Sequence, residues 1–193
     1  KLRSYLHSLQ FVIDDVKIGS TVKIKPWTFS LRGHYTLIRI PHEVITEMTL
    51  QAESKKLLTF RTRDIPGTLF HYRLGDLLLI DGKNPLDTDR FRNLRDLPKP
   101  YRVISDSPKI ASEKLSSIFN ESVSPVSTDS AWDALQEAMN SEVFVGSPSK
   151  ISFWSIAFRI AKSKIGHSYI TREHIDHLSY LIPESKLKSI KTF

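Results

Sequence analysis

The sequence predicts an α+β protein: a small antiparallel β-sheet or barrel unit in residues 1–103, then a helical unit of about four helices in residues 104–193. Three observations carry this expectation. Before residue 83, several short stretches alternate apolar and polar residues with period two, and turn residues separate them. After Ser107 the apolar residues recur every three or four positions behind serine and threonine caps. The change of character follows Pro98 and Pro100, which places the boundary near residue 100.

Leu2, Leu6 and Leu9 stand at helical spacing, so the chain opens on a short helix. Phe11–Ile18 and Thr21–Ile24 then read as strands around the turn Gly19-Ser20. Val22 and Ile24 share one face of the second strand, Lys23 and Lys25 the other, and Pro26 ends it. Gly33 marks a turn before a strand at His34–Ile40. Pro41 closes that strand, and His42–Leu50 is helical, with Val44, Ile45 and Met48 in apolar spacing. Lys56–Arg63 alternates as a strand. Pro66-Gly67 signals a turn, Thr68–Leu74 and Leu77–Ile80 are the next strands, and Asp81-Gly82 is another turn. Asp87 or Thr88 caps a short helix with Phe91 and Leu94 inward and Arg92 and Arg95 outward.

In the second half, Ser107-Pro108 starts a helix whose stripe is Ile110, Ala111, Leu115, Ile118 and Phe119. A Ser/Pro-rich loop, 122–129, precedes a second helix, capped by Asp129 or Ser130, with Trp132, Leu135 and Met139 inward. Ser149 caps a third, with Trp154, Phe158, Ala161 and Ile165 on one face and Gly166 at its end. Thr171 caps a fourth, with Ile175, Leu178 and Leu181 inward and Pro183 as its stop; the basic tail follows.

Composition narrows the chemistry. The chain has 193 residues, 40% hydrophobic and 25% charged, which is the norm for a globular protein able to bury a core without staples. It has no cysteine, which excludes disulfides, thiolate zinc sites and cysteine nucleophiles. The absence fits an intracellular location, cytoplasm or nucleus. The longest apolar run, Ile151–Ala161, is too short to span a membrane and carries Arg159. No signal peptide is visible after Lys1.

The net charge of +7 comes in blocks. Residues 1–103 hold 18 basic against 11 acidic side chains, residues 104–142 hold 2 against 7, and residues 143–193 hold 8 against 3. Such blocks make strong local fields that select charged partners. The cations Lys23, Lys25, Arg39, Arg61, Arg63 and Arg73 fall at strand positions, where period two lets several share one face. Guanidinium groups fork onto phosphates and stack on bases, and Trp27, Tyr35 and Tyr72 lie close by in sequence as stacking surfaces. Arg92 and Arg95 add a second basic face. Gly146-Ser147-Pro148-Ser149-Lys150 opens a helix with free N–H groups, hydroxyls and a lysine, so Ser147, Ser149 and Lys150 form a candidate anion site.

Enzymatic motifs are missing. There is no G-x-S-x-G, no HExxH and no glycine-rich dinucleotide loop, and nothing implies a cofactor or metal. His174 and His177, with Glu173 or Asp176, read as a helix surface rather than a zinc site. Asp64 followed by Asp81-Gly82-Lys83 resembles the acid…acid-x-Lys pattern of PD-(D/E)xK nucleases, which implies Mg²⁺-dependent cleavage; the resemblance covers three residues and lacks the leading helix glutamate. Gly33–Phe60 is similar to the swapped-hairpin fold of AbrB/SpoVT-type DNA-binding regulators, with Glu53-Ser54 in place of the usual Gly-Asp turn.

The expected function is therefore non-enzymatic: a nucleic-acid or nucleoprotein-binding assembly protein using an arginine-rich sheet face. The acidic segment 121–142, which has no Lys or Arg, is expected to take a protein partner or a second copy of the chain. The alternatives are the Mg²⁺-dependent nuclease and a scaffold or matrix-like protein that binds an anionic membrane surface without a transmembrane segment.

Overall fold

The computed structural model describes residues 12–16, 30–33, 40–75, 85–163 and 167–193. The chain divides into two units, residues 1–40 and 41–193. In the first, β1 (Val12–Val16) and β2 (Ser30–Gly33) pair in parallel, Val12 opposite Ser30. Parallel strands need a crossover, so these two do not form a hairpin. The expected opening helix, the Gly19-Ser20 turn, most of the His34–Ile40 strand and the Leu77–Ile80 strand lie outside the described residues.

The second unit opens on α1 (His42–Ser54), followed by β3 (Ile65–His71), a 3-10 helix (Thr88–Leu94) and β4 (Tyr101–Ile104). Next come α2 (Pro108–Phe119), β5 (Val123–Pro125), α3 (Ala131–Asn140), β6 (Ser141–Gly146), α4 (Lys150–Ala161) and β7 (Ser168–Ile170). A 3-10 turn (Arg172–His174), α5 (Ile175–Leu178), α6 (Glu184–Leu187) and β8 (Lys191–Thr192) complete it. Among the described residues, β3 to β8 form one six-stranded sheet, all parallel, in the order β5-β4-β3-β6-β7-β8.

This overturns the expected small antiparallel sheet or barrel followed by a four-helix region. The architecture is α/β, and the sheet draws strands from both sides of residue 103. Strands and helices alternate along the chain, and the helices form the crossovers that parallel pairing requires. Lys56–Arg63, expected as a strand, is irregular, so the hairpin resemblance of Gly33–Phe60 also fails at its second strand. Pro66-Gly67 is not a turn between strands; it sits inside β3, where the register against β6 shifts between Ile65 and Thr68.

Both faces of the sheet are covered. Thr68, Leu69, Phe70, His71 and Tyr72 are all buried, so β3 shows no polar face. On one side, Phe70, Tyr72, Tyr101, Val103, Val143 and Val145 pack against Phe91 and Leu94 of the 3-10 helix and Ala111, Leu115 and Phe119 of α2. Phe70 meets Phe91 edge-on at 5.8 Å and Phe119 at 5.2 Å. Period two sends Leu69, His71, Phe144 and Gly146 to the opposite side, where α4 lies. A Cβ on Gly146 would stand 2.7 Å from Ser152 Cβ, so α4 packs hard on β6.

The helices 108–119, 131–140 and 150–161 stand where the sequence reading placed helices, but Ile110 is exposed rather than inward and the third helix stops at Ala161, while its expected end at Ile165 and Gly166 lies outside the described residues. Ser130 and Ser149 cap α3 and α4 by accepting from the N–H groups of Asp133 and Ser152. The fourth helix is shorter than expected, broken into a 3-10 turn and one turn of α5. Trp132 faces solvent rather than the core, because Ala134, Leu135, Ala138 and Met139 make the buried stripe of α3.

Candidate functional site

In this strand order the chain runs outward from β3 through β4 to β5, then returns to β6 on the other side of β3. The reversal separates the loops that leave the carboxyl ends of β3 and β6, and in open α/β sheets such a switch point is where ligands bind. A cavity of about 730 Å³ opens there, lined by His71, Arg73, Gly75, Asp106, Ser149, Lys150 and Ile151.

Each lining group is held by the strand ends. The Ser147 N–H donates to His71 O at 3.0 Å, and the Arg73 N–H donates to Ser147 Oγ at 3.2 Å, which stitches the two loops together. Asp106 follows β4; its Oδ1 accepts the Leu74 N–H at 2.8 Å and the Ser105 hydroxyl at 3.2 Å. Asp106 thus ties the loop after β4 to the loop after β3.

His71 ends β3 and points to the α4 side. Ser152 Oγ lies 2.8 Å and Ser149 Oγ 3.2 Å from its Nδ1. Ser149 Oγ accepts the Ser152 N–H, and its hydroxyl points at Ser152 Oγ, 3.4 Å away. The Nδ1 atom thus has two serine oxygens within hydrogen-bond reach, and the three side chains form one buried polar cluster. Burial pushes the imidazole down to about 4, only partly offset by nearby Asp106, so His71 is neutral at physiological pH. Ser152 has no solvent exposure, so its contact with His71 does not make an accessible nucleophile.

The start of α4 supplies the electropositive end. Helix geometry leaves the N–H groups of Lys150 and Ile151 without intrahelical acceptors, and both residues line the cavity. The first turn of α4 has no acidic residue and begins with a lysine, an arrangement that the helix dipole disfavours unless an anion is present. Arg73 lines the cavity from the facing loop.

Of the residues singled out from sequence, Ser149 and Lys150 line this cavity, and Ser147 is buried with its hydroxyl on the Arg73 N–H. Arg73 lines it too, but from the loop after β3 and not from a sheet face. Arg61 and Arg63 are exposed on the segment leading into β3, the opposite end of that strand from Arg73. Arg92 and Arg95 are exposed on and just after the 3-10 crossover; Arg92 pairs with Asp89 at 2.8 Å and Arg95 Nε donates to Arg92 O. The described cations therefore do not converge on one sheet face, because helices occupy both faces. Lys23, Lys25 and Arg39 lie outside the described residues, as do Trp27 and Tyr35, while Tyr72 is buried in the core and presents no stacking surface.

The nuclease pattern has Asp81 and Lys83 outside the described residues, and among the described residues no cluster of three or more His, Asp or Glu could hold a metal. His174 takes Thr171 Oγ1 on its Nδ1 at 2.7 Å, and Glu173 pairs with Arg90. In the acidic segment, Glu121 pairs with Lys99, Glu137 with Arg102 at 3.0 Å, and Glu142 accepts the Gly67 N–H at 2.9 Å. Those carboxylates brace the fold itself. Among the described residues, no helix is long and apolar enough to cross a membrane.

Sequence reasoning missed His71, Gly75 and Asp106. The available signals were a histidine inside an otherwise apolar strand and an Asp flanked by serines before a helix, in Ile104-Ser105-Asp106-Ser107-Pro108. No protein-family model, curated protein or solved structure matches the chain.

Proposed function

We propose that this protein binds a phosphate-bearing small molecule in the crevice between the loops after β3 and β6. The observation that supports the reading most directly is the placement of two orphan helix N–H groups, Lys150 and Arg73 around one cavity at the reversal of strand order. A fold alone does not set a function, so the argument rests on these groups. The cavity volume lies in the range of small-molecule sites.

Isothermal titration with inorganic pyrophosphate at low salt tests this. The wild-type chain is expected to bind, and Lys150→Ala to weaken binding about tenfold, the value of one charge-assisted contact. Absence of binding, or equal binding by the variant, removes the crevice as a phosphate site.

A second reading, nucleic-acid binding, keeps the support of Arg61 and Arg63, which are both exposed on one short segment. A double charge reversal, Arg61→Glu with Arg63→Glu, is then expected to lower duplex DNA affinity by more than about tenfold, with a shallower salt slope, in a mobility-shift titration. Unchanged affinity excludes that segment.

A further inference from the structure

We infer that this chain pairs with a second copy of itself through α1, the two helices lying antiparallel across a two-fold axis; this surface is separate from the crevice above. Among the described residues, six large apolar side chains are exposed. Four of them, Val44, Met48, Leu57 and Trp132, line one groove of about 460 Å³. Apolar side chains scattered singly over a surface need no explanation, but a gathered patch marks a contact site. The groove follows α1, and Trp132 at the start of α3 forms part of its wall. Along it, Val44, Met48, Gln51 and Lys55 recur at intervals of four, three and four residues, the spacing of a seam between two helices. Ile45 and Thr49 are buried and face the chain's own core. Two sides of α1 are therefore built for contact, and the described fold covers one of them.

The charges along the groove choose its occupant. Glu43 and Glu47 line it toward one end and Lys55 at the other. Helix rise sets Lys55 about 12 Å from Glu47 and about 18 Å from Glu43, too far to pair within one chain. Glu47 accepts a hydrogen bond from the neutral Gln51 side chain at 2.8 Å, which leaves its charge in place. Glu53 pairs with Lys162 at 2.9 Å and is not part of the groove lining. A uniformly basic partner helix suits the glutamates and is repelled by Lys55; a uniformly acidic one has the reverse fault. A second α1 laid parallel sets like charge against like. Laid antiparallel, it brings each Lys55 to Glu43 and Glu47 of the other copy, and a two-fold contact repeats that pairing on both sides. The two helix dipoles then run opposed as well. With the axis between Met48 and Gln51, the lysine stem of one copy also covers Val44 of the other. The acidic segment 121–142, expected to take a partner or a second copy, contributes Trp132 and no carboxylate to this lining.

Sedimentation equilibrium of the full chain tests this over roughly 1 to 300 µM, where a small helix-pair interface is expected to assemble. The wild type is expected to pass from monomer to dimer within that range. Met48→Glu sets a charge at the centre of the seam and is expected to weaken the dimer more than about tenfold. Two charge variants then identify the occupant. Lys55→Glu makes the groove wholly acidic, and Glu43→Lys with Glu47→Lys makes it wholly basic. Each alone is expected to weaken self-association by about tenfold or more, and an equimolar mixture to restore a dimer with one copy of each. All four positions are exposed, so the fold is expected to survive, with thermal midpoints as the check. A chain that stays monomeric across the range overturns the inference and leaves the groove to a partner of other chemistry. A dimer that Met48→Glu leaves intact overturns it too, since that dimer uses another surface. If the two charge variants fail to associate when mixed, the copies do not lie antiparallel and the inference falls. Should Met48→Glu not fold, the charge pair decides by itself.

Discussion

Burial fixes the protonation of His71, and stability should report it. Its imidazole is held at about 4 in the fold against an ordinary value near 6.5, mainly because the ring is removed from water. The unfolded chain therefore binds a proton between these values when the folded chain does not. The contribution is fully present above pH 6.5 and is lost as pH falls toward 4, by about 3 kcal/mol in all. In His71→Asn, which keeps a hydrogen-bonding group beside Ser152, urea midpoints at pH 7.5 and 4.5 are expected to differ less than in the wild type. An unchanged difference would mean that other groups carry the acid sensitivity. Arg159 makes a contrasting case. It is completely buried, and burial lowers its guanidinium to about 10, so it stays charged. It donates to the carbonyls of Ala138, Ser141, Glu142 and His167 at 2.6 to 3.2 Å and to Ser168 Oγ at 3.0 Å. These bonds join the end of α3 to β6 and β7. Arg159→Met removes all of these donated bonds from a buried site, though Ala138 O keeps the Ser141 hydroxyl and His167 O the Phe144 N–H, and is expected to cost about 3 kcal/mol, read as a lower urea midpoint. A variant as stable as the wild type would show that the carbonyls find other donors.

At the scale of elements, two glycines set how closely backbones approach. Gly67 has a φ of +87°, and an added Cβ would lie 2.2 Å from Pro100 O. This is why the Pro66-Gly67 pair lies inside β3: the glycine lets the strand pass the residue before β4 while its N–H reaches Glu142. Gly67→Ala is expected to lower stability by about 2 kcal/mol or more in thermal melts, since both strain and collision act against backbone atoms. Gly146 ends β6 beneath α4, whose Ser149, Ser152 and Ser155 are all buried. Small side chains at that spacing let the helix sit close to the sheet and aim its N-terminus at the cavity. Gly146→Ala pushes on Ser152 Cβ and is expected to weaken pyrophosphate binding beyond its effect on folding, measured by titration well below the melting temperature. Binding unaffected by this change would separate the position of α4 from the site.

For the whole molecule, residues 41–193 form a compact unit that holds the entire six-stranded sheet and a core running from Ile45 to Ile190. A fragment of residues 41–193 is therefore expected to melt cooperatively by calorimetry and to keep pyrophosphate binding; a non-cooperative fragment would tie its stability to the first forty residues. Much of the local structure was legible in the chain. The caps at Ser130 and Ser149, the stripe Ala111-Leu115-Phe119 and the inward pair Phe91 and Leu94 all follow from helical spacing and capping chemistry. Several strands were not legible. Tyr101–Ile104, Val123–Pro125 and Ser168–Ile170 span three or four residues, too few to show a period. Strands buried on both faces also lack the alternation that marks an exposed sheet. Of the candidate site, Ser149 and Lys150 were visible because one helix start contains both. His71 and Asp106 were not, since the strand ends that carry them lie 35 residues apart and are joined only by the sheet. What the chain carries locally is where most helices start, which residues cap them, much of their buried stripe and how charge is distributed, because these depend on neighbours within a few positions; Trp132 and Ile110, expected inward and exposed, show where that reach ends. The parallel run of the strands, the helices over the faces on which arginines were expected to gather, and the cavity at the reversal of strand order emerge only in the folded chain. Those outcomes depend on which distant strand ends become neighbours, and local spacing does not encode that.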